Sequence, residues 1–339
     1  MRITALAGGV GGARFLRGLL RHLEHRSATA SGEAPTRITV IGNTGDDITL
    51  FGLRVCPDID TILYTLGGGV HEGQGWGRAD ETHSLATELA ALGATPQWFT
   101  LGDKDFATHV YRSQLLGRGM PLSQVVSRLS ARWGLPDLGV TLLPMTDTPV
   151  ETHVVVEEDG EQRAIHFQEW WVRHQAALPA ERFVVAGLDQ ATAAPGVLDA
   201  IRETDVVLLP PSNPVVSIGI ILGVPGVRDA LRGTRAPVVG VSPLVGGRPV
   251  RGHADACLRA IGVEESSAGV AGLYEDFLDG WLVDEQDPMP AGRPSARSRL
   301  EVEHRPLLMS SVDAAADLAG AALDLGLRLR EDRASRVTA

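Results

Sequence analysis

Hydrophobic positions fall into short, almost uninterrupted runs separated by longer amphipathic stretches. Runs at Ile3–Ala7, Arg37–Ile41, Gln97–Leu101, Phe183–Ala186, Val206–Pro210 and Val238–Ser242 read as strands buried on both faces. Between the first two, Ala13 to about Leu23 puts Phe15, Leu16, Leu19, Leu20 and Leu23 on one helical stripe and its arginines on the other. Ser27–Pro35 reads as a loop, and Glu81–Leu92 as a helix stopped by Gly93. Such alternation predicts an α/β fold: a Rossmann-like, mostly parallel sheet flanked by helices. The middle breaks the rhythm. Glu151–Glu158 and Gln162–Trp170 are extended runs around Asp159-Gly160, a strong hairpin signal. The expected organisation is therefore a core of residues 1–140 and 181–328 with an inserted hairpin region at 141–180. Val283–Ser298 reads as a surface loop, Ser311–Arg328 as a closing helix, and 329–339 as a loose tail. No internal repeat is apparent.

Composition narrows the function classes. The 339 residues carry a formal net charge of −11 with no basic run, so no nucleic-acid footprint is present. The 2 cysteines, Cys56 and Cys257, match no metal or disulfide spacing, and a reducing compartment is expected. Arg14, Arg17 and Arg21 follow the first apolar run where a secretory segment would have to continue. No window approaches the about 18 uncharged apolar residues of a membrane span. The expectation is a soluble cytoplasmic protein.

The polar residues that close the strands carry the chemistry. Gly8-Gly9-Val10-Gly11-Gly12-Ala13-Arg14 follows the first strand. A glycine-rich strand-to-helix turn points backbone N–H groups and a positive helix end at an anion, and Arg14 adds a charged donor. It is not a dinucleotide fingerprint, because Arg14 occupies the third glycine position. Nor does it have the Lys-Ser/Thr of a Walker loop. The alternative is a tight turn without a ligand. The second strand ends in Gly42-Asn43-Thr44-Gly45-Asp46-Asp47, and Cys56-Pro57-Asp58-Ile59-Asp60-Thr61 follows. Asp46 and Asp47 could cap a turn, and Asp58 the helix Ile59–Leu66. Four acids near neighbouring strand ends exceed what capping needs, and a hard cation such as Mg²⁺ held against phosphate oxygens would use them.

Gly67-Gly68-Gly69 and Gly75-Trp76-Gly77-Arg78 imply a mobile loop or a close backbone approach, with Trp76 placed to lie against a planar ligand. Leu101-Gly102-Asp103-Lys104-Asp105 reads as a phosphate or metal site or as a solvated turn. In Ile165-His166-Phe167-Gln168-Glu169-Trp170-Trp171, His166 and Glu169 could be catalytic, but on a hairpin stacking and hydrogen-bond positioning are the expected roles. Pro211-Ser212-Asn213-Pro214, Ser242-Pro243 and Gly246-Gly247-Arg248 complete the set. No Ser/His/Asp order or nucleophile elbow is present.

Taken in order, these motifs resemble CofD-type transferases of coenzyme F420 biosynthesis, over residues 1 to about 325. Each is unspecific alone; the ordered set is specific. The His166–Trp171 run is similar to the actinobacterial branch. The resemblance implies a dimeric enzyme with a Rossmann-like core and Mg²⁺, the metal falling to Asp46, Asp58 and Asp60, one of which also acts as base. The implied acceptor is the deazaflavin Fo, whose ribityl hydroxyl attacks a guanosine diphosphate ester of a three-carbon acid, releasing GMP. That acid is 2-phospho-L-lactate or, in the actinobacterial branch, phosphoenolpyruvate. By the same resemblance the substrates meet Gly8, Gly9, Gly11, Gly12, Arg14, Asn43, Thr44, Asp47, Trp76, Arg78, Ser212, Asn213, Gly246, Gly247 and Arg248. Arg78 directly follows Gly-Trp-Gly, where members carry a basic contact to Fo, and Arg248 stands where many carry lysine. Trp76 and Trp170 are the expected wall for the deazaflavin. A non-enzymatic, nucleotide-sugar-binding regulator of the YvcK type is the alternative on this fold.

Overall fold

The computed structural model describes residues 1–29, 35–158, 160–289 and 300–338. Seven strands form one parallel sheet. Across it they run Glu301–His304, Gly280–Val283, Val238–Val241, Val206–Leu209, Arg2–Ala7, Arg37–Gly42 and Val140–Pro144. Chain order reverses between Arg2–Ala7 and Val206–Leu209, which pair directly. That is the Rossmann-like arrangement the sequence predicts. In such a sheet the crevice opens beyond the carboxyl ends of the two strands at the reversal. Four of the central strands were legible because burial on both faces leaves no polar alternation: Val206–Leu209 and Val238–Val241 are buried at every residue.

Helices cover both faces. On one, Gly9–Thr29 lays Phe15, Leu16 and Leu19 against Leu318, Ala319 and Leu323 of the closing helix. Gly18 permits that approach, since a Cβ there would lie 2.7 Å from the Cβ of Ala315. The opposite face buries Trp281, Phe277 and Tyr274 with the inserted region's Trp170.

The inserted region is a three-stranded antiparallel sheet, ordered Glu161–His166, Glu151–Glu158, Ala180–Ala186. Asp159, at the tip of the expected hairpin, lies outside the described residues. Phe183–Ala186, expected in the core, is thus part of this small sheet, pairing with Glu151–Glu158. Conversely, Val140–Pro144 belongs to the main sheet, where it takes the edge beside Arg37–Gly42. Gln97–Leu101 forms no strand. Its apolar side chains instead make a local cluster, Leu101 joining Ile48, Leu50 and Val55, with Trp98 and Phe99 against them.

The expected helix Glu81–Leu92 is shorter, Ser84–Ala91, because Glu81 and Asp103 cap each other's elements. Glu81 accepts the N–H groups of Lys104 (2.8 Å) and Asp105 (2.7 Å). Asp103 accepts those of Ser84 (3.2 Å) and Leu85 (3.0 Å). The Gly102-Asp103 motif is accounted for by this capping. The closing helix spans Val312–Thr338, so it runs through most of the segment read as a tail. Part of the loop expected at Val283–Ser298 lies outside the described residues. Among the described residues no helix is long and apolar enough to cross a membrane.

Candidate active site

A cavity of about 600 Å³ opens at the chain reversal. Gly8, Gly9, Gly11 and Arg14 form one side, and Ser212 and Asn213 close the neighbouring strand against them. Ser212 Oγ accepts the Gly8 N–H at 3.1 Å and donates to the Gly8 carbonyl at 2.7 Å. That double bond ties the two strand ends at the reversal, and both partners are buried. Asn213 uses its side-chain oxygen on the N–H groups of Val215 (2.9 Å) and Val216 (3.1 Å), fixing the turn behind Ser212. Gly12 sits behind this wall, where a Cβ would lie 2.7 Å from Ser212 Oγ.

Asp46 and Asp58 reach the same cavity from different elements. The fully buried Asn43 joins them, its Nδ2 donating to Asp46 Oδ1 at 3.2 Å and to Asp58 Oδ2 at 2.9 Å. Its own oxygen accepts the Gly45 N–H at 2.9 Å, which fixes the turn carrying Asp46. Gln168 of the inserted region donates to Asp46 Oδ2 at 3.0 Å, and Ser217 to Asp58 Oδ2 at 3.3 Å. Asp58 does not cap its helix: Cys56 stands at the N-cap of Pro57–Leu66, and the Asp58 carboxylate faces the glycine turn. Burial, and then the facing Asp58, hold the Asp46 carboxyl well above the usual range. Burial likewise pushes Asp58 up to about 6.

The other two acids turn elsewhere. Asp47 is fully buried outside the cavity, with Arg54 Nε 3.5 Å from its Oδ2, and burial pushes it up to about 7. Asp60 touches the cavity but is ion-paired to Arg112, itself fully buried, with His109 Nδ1 at 3.7 Å. Of the three acids expected to share a metal, Asp60 is therefore neutralised by a protein cation. Among the described residues no group of three or more His, Cys, Asp or Glu side chains is disposed to hold a metal. Asp46 and Asp58 do form a fitting pair: two buried, mutually repelling carboxylates with only neutral donors between them.

The remaining expected contacts divide. Trp76 lines the cavity and is 48% exposed. Arg78 does not line it; its guanidinium stacks over Trp133 at 5.0 Å and donates to the Lys104 carbonyl at 3.1 Å. Trp133 also explains the triple glycine, since a Cβ on Gly67 would come within 2.6 Å of its ring. Trp170 is a core residue, fully buried and donating to the Leu178 carbonyl at 2.8 Å; its neighbour Trp171 lines the cavity instead. Thr44 is buried outside the lining. Gly246, Gly247 and Arg248 form a tight ribbon off the cavity, where Gly247 N–H meets Asp287 Oδ1 at 2.6 Å. Residues 250–253 of the same segment line it in their place. His166 lies outside the lining, contacting the Asp47 carbonyl at 3.2 Å and accepting the Gln168 N–H at 3.0 Å.

Comparison with known proteins shows which family the chain belongs to. The family described as 2-phospho-L-lactate transferase CofD matches residues 3–310. The chain belongs to the CofD family. It is a transferase. It is 61% identical to a phosphoenolpyruvate transferase of Thermobifida fusca (98% of this chain, 99% of that one). A phosphoenolpyruvate transferase of Streptomyces coelicolor is 57% identical over 98% of this chain and all of its own, 100%. The counterpart in Mycolicibacterium smegmatis is 50% identical over 96% and 98% of the two chains. Among solved structures, a upf0052-family protein from Bacillus halodurans superposes with a TM-score of 0.56 at 17% identity, covering 95% of this chain and 98% of that one. That likeness speaks for the fold alone.

Proposed function

We propose that this CofD-family transferase acts in coenzyme F420 biosynthesis, moving a phosphoenolpyruvyl group from its guanosine diphosphate ester to the deazaflavin Fo. The oxygen of the terminal ribityl hydroxyl forms a bond to the phosphorus bearing the enolpyruvyl group. The bond from that phosphorus to GMP breaks, leaving a phosphodiester, dehydro-F420-0. Phosphoenolpyruvate is favoured over 2-phospholactate as the donor acid by the names of the relatives at 61% and 57% identity. The observation that carries the reading is the Asp46–Asp58 pair, set beside the glycine turn at the chain reversal and facing one cavity.

Phosphoryl-type transfer needs positioning and charge neutralisation rather than a protein nucleophile. The N–H groups at the start of Gly9–Thr29 and the Arg14 side chain would receive phosphate oxygens. Mg²⁺, held by Asp46 and Asp58, would neutralise charge on the transferred phosphate. Asn43 and Gln168 fix the two carboxylates, and Asp46, which lines the cavity, would accept the hydroxyl's proton. Trp76, Trp171 and Phe167 supply flat apolar surface for a tricyclic acceptor. A cytoplasmic homodimer is part of the same proposal, the dimer being readable by light scattering.

The test is to mix the purified protein with Fo, the guanosine diphosphate ester of phosphoenolpyruvate and Mg²⁺, and follow product mass. Dehydro-F420-0 should form, chelation should stop it, and Asp58→Asn should lower turnover at least about a hundredfold with the fold intact. Nucleotide binding without any transfer would refute the reading in favour of a binding regulator of the YvcK type.

A further inference from the structure

Two guanidinium groups converge on one point of the cavity wall. A Cβ built on Gly75 would lie 3.1 Å from Arg251 Nη1 and 3.4 Å from Arg14 Nη2. Both arginines line the cavity, and neither makes a hydrogen bond or ion pair among the described residues. The acid beside Arg14, Glu72, is already bonded by Arg17 at 2.6 Å; that bond and the charges of Arg17 and Arg14 outweigh burial and leave its proton affinity lowered. Two like charges brought together without an acid of their own are stabilised by a ligand anion.

Their placement is built by distant parts of the chain. Arg14 lies in the second turn of Gly9–Thr29, directly after the glycine turn. Arg251 lies on the segment 250–253, which leaves the ribbon Leu244–Val245/Arg248–Pro249 and crosses the cavity. Trp171 of the inserted region holds that segment: Gly252 has φ +77, and a Cβ there would come within 2.7 Å of the Trp171 ring. His253 meets the same ring edge-on at 5.0 Å. Gly75, also at positive φ, leaves the space the two guanidinium groups share.

We infer that Arg251, together with Arg14, grips an oxyanion of the donor, and that Arg251 rather than Arg248 is the specificity-determining cation of this segment. The inference rests on the donor proposed above, whose chemistry offers two oxyanions, the carboxylate of the three-carbon acid and the diphosphate. Arg248, on the ribbon and outside the cavity lining, serves as the control.

The experiment measures binding, without Fo, of the phosphoenolpyruvyl ester and of GDP by calorimetry. It uses the wild type, Arg251→Gln, Arg251→Lys and Arg248→Gln. A charge-assisted bond to an oxyanion predicts about a ten- to hundredfold loss for Arg251→Gln, part of it restored in Arg251→Lys, and no change in Arg248→Gln. A loss for the ester alone assigns the carboxylate; an equal loss for ester and GDP assigns the diphosphate. Unchanged affinities for both ligands in Arg251→Gln overturn the inference, as would a loss confined to Arg248→Gln. A wild type that binds the ester but never transfers to Fo overturns the proposed function while leaving the arginine result standing.

Discussion

Gly12→Ala is the sharpest probe of how the strand ends are held together. The added methyl would sit 2.7 Å from Ser212 Oγ and 3.1 Å from the Cβ of Ala7, a strand residue with nowhere to go. Relief to ordinary contact requires the hydroxyl to retreat by about 0.7 Å, which carries its 3.1 Å bond with the Gly8 N–H past hydrogen-bond length. A buried N–H left without its partner costs about 1–3 kcal/mol, and crowding against Ala7 adds about 1 kcal/mol. Ser212→Ala strands the same N–H directly and should cost a similar about 1–3 kcal/mol. The two changes remove one interaction, so the double variant should be no more than about 1 kcal/mol worse than Ser212→Ala, a coupling of about 1–3 kcal/mol. Urea unfolding of the four proteins gives the cycle, with equal m-values as the condition for comparing them. GDP affinity measured alongside should fall in step, because the glycine turn is what Ser212 positions. Gly117→Ala, with nothing within 4 Å, should be harmless. Costs that simply add, within about 0.5 kcal/mol, would show that Ser212 is not what tethers the turn.

Asp60→Asn should lose about 3–5 kcal/mol of stability by stranding the buried Arg112 charge, and adding Arg112→Met should recover much of it; an unshifted melting temperature would remove Asp60 from its structural role. Trp170→Ala should destabilise the protein by about 3–5 kcal/mol, whereas Trp76→Ala should keep the fold and raise the KM for Fo. Equal melting of the two variants would contradict the burial difference. Asp276 is a pH probe: burial raises its proton affinity, but bonds from Arg228 at 2.6 Å and Arg232 at 2.5 Å outweigh it and leave the folded-state value lowered. Its contribution is therefore present above the ordinary carboxylate value of 3.8 and is lost as pH falls through the folded-state value. Asp276→Asn should be less stable than wild type at pH 7, with the gap closing below pH about 4 in urea titrations; a pH-independent gap would refute the pairing.

Much of the protein was written locally. Strands such as Val206–Leu209 are buried on both faces, so they appear as unbroken apolar runs, and a glycine turn after such a run marks the anion-facing strand end. The acids Asp46 and Asp58 were readable as neighbours of that turn. Asp60, two residues from Asp58 on the helix Pro57–Leu66, touches the cavity too, but its carboxylate is taken by Arg112, a partner that lies 52 residues along the chain. Edge strands were the least visible. Glu301–His304 has no fully buried residue, and Val140–Pro144 alternates, because an edge position does not demand apolar side chains on both faces. Similarly, Gln97–Leu101 is apolar enough for a strand, and only the local cluster it joins shows otherwise. What sequence could not supply is convergence over long separations. Trp171 rather than Trp170 meets the cavity because Trp170's indole is spent on the Leu178 carbonyl in the core. Arg251 meets Arg14 because Trp171 holds a glycine from a different part of the chain. Local spacing determines which side chains can lie on a strand end or helix face, but which of them share a cavity depends on contacts between separate segments of the chain.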